Sequence, residues 1–175
     1  MTPEQIATAL HAPLANVNAN WPVIVEALTD EGIVSPAVLI AAAATIAVEC
    51  PTWTPRTEQY NGDPRVFFAK YDGRADLGNT EPGDGYAFRG RGFVQITGRY
   101  NYLHYGRELG ADLVANPDAV LEPHTAAAVF ARFFAERHLA EKADAGEWAL
   151  VRKGVNGGSN GLAEFLQFVA RLKVI

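Results

Sequence analysis

At 175 residues, with 49% hydrophobic and 20% charged side chains, the chain has the makeup of one globular domain long enough to bury a core. Its net charge of -5 and pI near 5.3 argue against a general nucleic-acid or membrane surface, since holding phosphates takes an excess of Lys and Arg. A single cysteine, Cys50, excludes an internal disulfide framework, so folding does not require an oxidising compartment.

The N-terminal stretch MTPEQIATALHAPLANVNANWP is amphipathic and broken by prolines, unlike the charged-then-apolar pattern of a signal peptide. If the protein acts outside its cell, something else must release it. Thr2, Pro3 and Glu4 are suited to start a short helix, and NWPVIVEALTDEG predicts a second, capped by Asn20 and stopping near Gly32. Ser35 and Pro36 open a third, PAVLIAAAATIAVEC, ended by Pro51. It is apolar on nearly every face and is expected to run through the core, but it is too short to span a bilayer.

Residues 51 to 88 differ, with prolines at 51, 55, 64 and 82 and one brief helix expected after Asp63-Pro64. DGRADLGNTEPGDG, 72 to 85, has no hydrophobic period and reads as an ordered functional loop or a disordered one. FRGRGFVQITGRYNY, 88 to 102, follows. Its Gly90 and Gly92 permit backbone angles or close approaches that a side chain forbids. Phe93 to Thr97 alternates like a strand, with Gln95 and Thr97 on one face and Arg89, Arg91, Arg99, Asn101 and Tyr102 around it. Such a face suits a polar, extended ligand. GRYNYLHYGREL then predicts a helix closing at Gly110, and PHTAAAVFARFFAERH an amphipathic one. Two more, 147 to 155 and 161 to 172, flank NGGSNG. The expected fold is mainly α with a small β element, a single domain over 1–175.

Glu49 stands at the end of a helix whose other residues favour burial. An isolated carboxylate there is costly to ionise, and the helix C-terminus adds negative potential. A carboxylic acid kept protonated in this way is what a general acid requires. The alternatives are a side chain that leaves the last turn for solvent, or one paired with a buried arginine. Glu58 lies nine positions on, in a polar loop where a carboxylate stays ionised. Two carboxyls in unlike surroundings match the acid and base of inverting glycosidases, although Glu58 alone also reads as a solvated loop charge. Cys50 could be a thiol nucleophile, but thiolates are activated at helix N-termini and this cysteine ends a helix, which favours a buried small hydrophobe. The histidines at 11, 104, 124 and 138 lack metal-ligand spacing, and neither glycine-rich stretch is a phosphate loop, so neither metal nor cofactor is expected.

FRGRGFVQITGRYNY closely resembles the signature of glycoside hydrolase family 19, the chitinase-like group with a lysozyme-type fold. YDGRADLGNTEPGDG before it is similar to the version found in bacteriophage endolysins. The apolar helix ending in Glu49, the carboxylate Glu58, NPDAVLEPHTAAAVFARFF and VNGGSNGL follow in family order, so the resemblance spans roughly residues 35 to 172. It implies a lysozyme-like α+β domain with the β element beside an active-site cleft. Glu49 would be the general acid and Glu58 the general base, with Thr97 holding the attacking water. Gln95, Asn101, Tyr102, Arg91 and Asn156 would line the sugar groove, and Arg171 would support the carboxylates. Val48-Glu49-Cys50 replaces the His-Glu-Thr of many members, and no carboxylate follows Asn-Gly-Gly. These departures favour the phage branch and shift the expected substrate from chitin to peptidoglycan.

The function so implied is an endolysin cutting peptidoglycan glycosidic bonds by a single displacement. It would be a monomer held in the host bacterial cytoplasm until a holin perforates the membrane, with no stable membrane or nucleic-acid association of its own. Arg89, Arg91 and Arg99 could meet peptide-stem or lactyl carboxylates. A chitinase, and a non-catalytic wall-binding module, remain open as alternatives.

Overall fold

The computed structural model describes all residues, 1–175. In chain order the helices are α1 (Pro3–Leu10), α2 (Leu14–Asp30), α3 (Pro36–Glu49), α4 (Pro64–Phe68), α5 (Asp84–Ala87), α6 (Arg99–Leu109), α7 (Pro123–Glu136), α8 (Leu139–Asp144), α9 (Trp148–Asn156) and α10 (Leu162–Leu172). Two-residue strands, β1 (Arg56–Thr57) and β2 (Arg91–Gly92), and three 3₁₀ turns complete a mainly α fold with a small β element. The chain forms two compact units, one from Met1–Thr54 with Phe130–Ile175 and one from Pro55–Val129. No helix is long and apolar enough to cross a membrane.

In the first unit α3 is the central element, packed by α8, α9 and α10. Ser35 starts it by accepting from the Val38 amide at 3.1 Å, and Pro36 supplies the first turn. Ala41 to Ala44 and Ile46 are fully buried, because a helix crowded on all sides needs side chains short enough for its neighbours to approach. The last helix buries Phe165, Val169 and Leu172, one stripe at helical spacing worth about 2 kcal/mol per side chain.

Helix α2 corrects the expected start at Asn20. It begins at Leu14, behind Pro13, and Asn20 lies inside it with its amide donating to the Asn16 carbonyl at 3.0 Å. The earlier start lets Val17, Trp21, Ile24 and Leu28 form one buried stripe, a gain that outweighs the missing side-chain cap.

In the second unit β1 and β2 pair antiparallel, Arg56 with Gly92 and Thr57 with Arg91. Residues 93 to 97 do not form the expected strand. Gly92 has φ +86, and Arg91 and Ile96 exchange backbone hydrogen bonds at 3.3 and 3.1 Å, so the segment between them is a tight hairpin loop. The apolar alternation there marks Phe93 and Ile96, which turn inward from that loop.

Residues 72–85 are ordered by short polar side chains that replace a backbone ladder. The Asp72 carboxylate accepts from the Gly83 and Gly85 amides at 2.9 and 2.7 Å. That of Asp84 accepts from the Thr80 and Glu81 amides and from Arg99. Asn79 donates to the Tyr71 carbonyl and accepts from the Arg99 amide. The Arg99 guanidinium, with the two amides, holds the Asp84 carboxyl below the usual carboxylate range although the side chain is buried.

Candidate functional site

The hairpin of the second unit gathers three oxygens around one glycine. A Cβ at Gly90 would stand 3.0 Å from Gln95 Oε1, 3.2 Å from Glu58 Oε2 and 3.3 Å from Thr97 Oγ1. Each is held there by its surroundings. The Gln95 amide nitrogen donates to the Arg56 and Gly92 carbonyls at 2.9 and 2.8 Å, which turns its oxygen toward Gly90. To do this Gln95 adopts φ 53, a left-handed conformation uncommon outside glycine. The Glu58 amide donates to the Gly90 carbonyl at 2.7 Å, and the Gly90 amide to Glu58 Oε2 at 3.3 Å. The Thr97 hydroxyl donates to the Gln95 carbonyl at 3.1 Å. A carboxylate, an amide oxygen and a hydroxyl facing one small space can hold an O–H or N–H donor and accept its proton. The hairpin, rather than a strand face, brings Gln95 and Thr97 together. Asn101 reaches the same segment, its amide donating to the Thr97 carbonyl at 2.7 Å.

Glu49 belongs to the first unit, at the last turn of α3, with its side chain 22% exposed. It is not an isolated carboxylate. Arg152 of α9, itself 4% exposed, donates Nη1–H to Glu49 Oε1. The expected apolar isolation is therefore not found, because a buried guanidinium compensates the charge at this helix end. Arg152 also donates from Nε to the Asn160 carbonyl at 2.8 Å, and Asn156 donates to that same oxygen at 2.5 Å. Asn156 Oδ1 accepts from the Gly158 amide at 2.9 Å. Asn156 thus folds the NGGSNG loop that Arg152 ties to the acid. Gly161, at φ +70, is needed beside this pair, since a Cβ there would stand 3.0 Å from Arg152 Nη2 and 3.1 Å from Val48 Cγ1.

Three of the expected site residues are elsewhere. Arg171 is exposed on α10, with only a long contact of 3.5 Å to the Ala9 carbonyl, and the arginine paired with Glu49 is Arg152. Arg91 and Tyr102 are buried struts rather than a surface for sugar. Arg91 donates to Asp118 at 2.8 Å, to the Ala87 and Arg89 carbonyls and to the Tyr102 hydroxyl, which itself donates to the Arg89 carbonyl at 2.8 Å. Burial pushes the Tyr102 phenol up to about 12 despite the Arg91 charge beside it. Cys50 is buried, and its thiol donates to the Thr54 carbonyl at 2.8 Å. The signal for Arg152 was in the sequence: it sits beside Val151 on the buried face of a short amphipathic helix, where a charge requires a partner.

Residues 69–148 match the family model for class I chitinases of glycoside hydrolase family 19, a span that contains Gln95, Thr97 and Asn101 and leaves out Glu49, Glu58 and Asn156. A Haemophilus influenzae protein described as a glycosyl hydrolase family 19 domain-containing protein is 32% identical over 118 residues, or 67% of this chain. The chain spans 57% of that relative's length. Chitinase C from Streptomyces griseus superposes with a TM-score of 0.72 at 19% identity, covering 98% of this chain and 92% of its own. A bacterial family 19 chitinase gives 0.71 at 17% identity, covering 98% and 94%. At such identities the structural likeness is one of fold, and that fold accords with the sequence matches: the chain belongs to the chitinase-like glycoside hydrolase family 19.

Proposed function

We propose that the chain hydrolyses glycosidic bonds of bacterial peptidoglycan as an endolysin, by a single displacement. The observation that carries the reading is the convergence of Glu58, Gln95 and Thr97 oxygens beside Gly90, where no side chain fits without displacing them. In the proposed step a water that donates one O–H to Thr97 Oγ1 and the other to Glu58 adds its oxygen to the anomeric carbon and yields the second proton to Glu58, with Gln95 Oε1 bounding the space. The carbon–oxygen bond to the leaving sugar breaks as Glu49 supplies a proton to that oxygen, and configuration inverts. Arg152 orients the Glu49 carboxyl, Asn156 holds the NGGSNG loop beside Arg152, and Asn101 holds the Thr97 segment. Peptidoglycan is preferred over chitin on the likeness of residues 71–85 to the endolysin form. Accumulation in the host cytoplasm, release by a holin and action as a monomer belong to the same proposal and rest on the resemblance to phage endolysins.

Chitin is the second reading, favoured by the names of the proteins of similar fold, which are chitinases. The test is reducing-end release from purified sacculi and from chitin by wild type, Glu49→Gln and Glu58→Gln, with mass analysis of the fragments. Glycan fragments from sacculi, lost in both variants, are the expected result. Fragments from chitin alone would replace the substrate, and full activity in both variants would remove the two-carboxylate mechanism.

A further inference from the structure

We infer that Arg65 and Arg89, stacked about Tyr86, form a carboxylate-binding site that reads the peptide stems of peptidoglycan, an inference that rests on the substrate proposed above. Three of the seven arginines of the second unit are taken up by ion pairs within it. Arg91 is paired with Asp118, Arg99 with Asp84 and Arg74 with Asp76. Arg65 and Arg89 differ in that neither is ion-paired to a carboxylate, although acidic residues exceed basic ones in this chain by 20 to 15.

Their placement follows from packing. Gly85 lets α5 close onto the end of α4, since a Cβ there would stand 2.1 Å from the Phe68 carbonyl oxygen. That contact brings the next residue, Tyr86, against α4. The Arg65 guanidinium lies 5.5 Å from the centre of the Tyr86 ring, and that of Arg89 lies 4.1 Å from it. Arg89 is further fixed by donating Nη1–H to the Tyr86 carbonyl at 2.6 Å. One ring thus contacts two guanidinium groups, which offsets part of the cost of gathering like charge about it and lowers the rotamer entropy lost on binding. The charge of Asp84 is taken up by Arg99.

Two oriented guanidinium forks match a carboxylate, which they can bind in a bidentate manner. Arg89 directly precedes Gly90, so its backbone adjoins the oxygen cluster. Chitin is neutral, whereas murein strands carry lactyl-linked peptides ending in carboxylates. The site would therefore separate two polymers with the same glycan linkage.

The test is binding, so that it reads independently of cleavage. Wild type, the Arg65→Ala/Arg89→Ala double variant and the Arg65→Lys/Arg89→Lys pair are pelleted with sacculi free of teichoic acid, with the same sacculi after carbodiimide coupling of their carboxyls to glycinamide, and with chitin. Each exposed charge pair contributes about threefold, so the expected preference of wild type for intact over amidated sacculi is about tenfold. That preference is lost in the alanine pair, partly kept in the lysine pair, suppressed by salt and absent on chitin. Equal wild-type binding to intact and amidated sacculi would overturn the inference, as would an equal loss on chitin by the alanine pair. Carboxylate-dependent binding without release of reducing ends would leave this site standing and sink the hydrolase reading.

Discussion

Replacing Gly90 by alanine tests the oxygen cluster with one methyl group. Gly90 does not have a positive φ, so the backbone accepts alanine, and the chain entropy of the unfolded state falls by about 0.4–1 kcal/mol. The new Cβ would meet Gln95 Oε1, Glu58 Oε2 and Thr97 Oγ1 at 3.0 to 3.3 Å, where contacts are ordinarily 3.4 Å or more. Each must therefore retreat by a few tenths of an ångström. Gln95 is held by two carbonyls and Glu58 by the Gly90 amide, so the displacement falls on the groups that hold the attacking water. Misplacement on the scale of 1 Å costs about 100-fold in rate, and this smaller shift together with the occupied space is expected to cost about 10- to 100-fold. That is about 1.4–2.7 kcal/mol of transition-state stabilisation. The assay is reducing-end release from sacculi beside thermal unfolding of the same samples. A rate loss with Tm within a few degrees of wild type supports the cluster as catalytic. Undiminished activity would refute it, and a collapse in Tm that accounts for the whole loss would make Gly90 a packing residue only.

Arg152→Ala removes the guanidinium paired with the mostly buried Glu49 carboxyl and is expected to destabilise the protein by about 3 kcal/mol in urea unfolding. In Glu49→Gln the same change should cost at least about 1 kcal/mol less, and equal costs in both backgrounds would deny the coupling. Tyr102 has its phenol raised by burial to about 12, so the folded state holds the proton longer than the unfolded chain does. Stability should be intact below the unfolded value near 10 and decline between about pH 10 and 12, with a shallower decline in Tyr102→Phe; identical pH dependence would rule this out. Asp84 behaves oppositely, because its carboxyl is held low by Arg99. Its contribution persists above the ordinary carboxylate value and is lost as pH falls below about 4, a loss that Asp84→Asn should abolish in acid unfolding curves. Cys50→Ala should retain full glycan cleavage with a stability loss of about 1–2 kcal/mol, whereas inactivity of the folded variant would revive a thiol mechanism.

The sequence by itself determined the elements whose signals are local. Ser35-Pro36 and Pro51 bound α3, Gly110 closes α6, and the spacing of Phe165, Val169 and Leu172 defines the buried stripe of α10. It also determined the chemistry on offer around residues 88–102, because side chains of that kind are too costly to bury without partners. Which partners they take was decided only by tertiary structure. The apolar alternation of 93–97 is common to a strand and to a hairpin loop turning two residues inward, and the Arg91–Ile96 pairing chooses the loop. Arginines in one short motif were alike as sequence, yet Asp118 and Tyr102 consume Arg91 while Arg89 remains on an aromatic ring. Glu49 met its guanidinium from 103 residues away, on a helix whose sequence names no partner. Local propensity acts within a few residues, whereas the compensation of a buried charge is settled by whatever chain the fold brings within hydrogen-bonding distance.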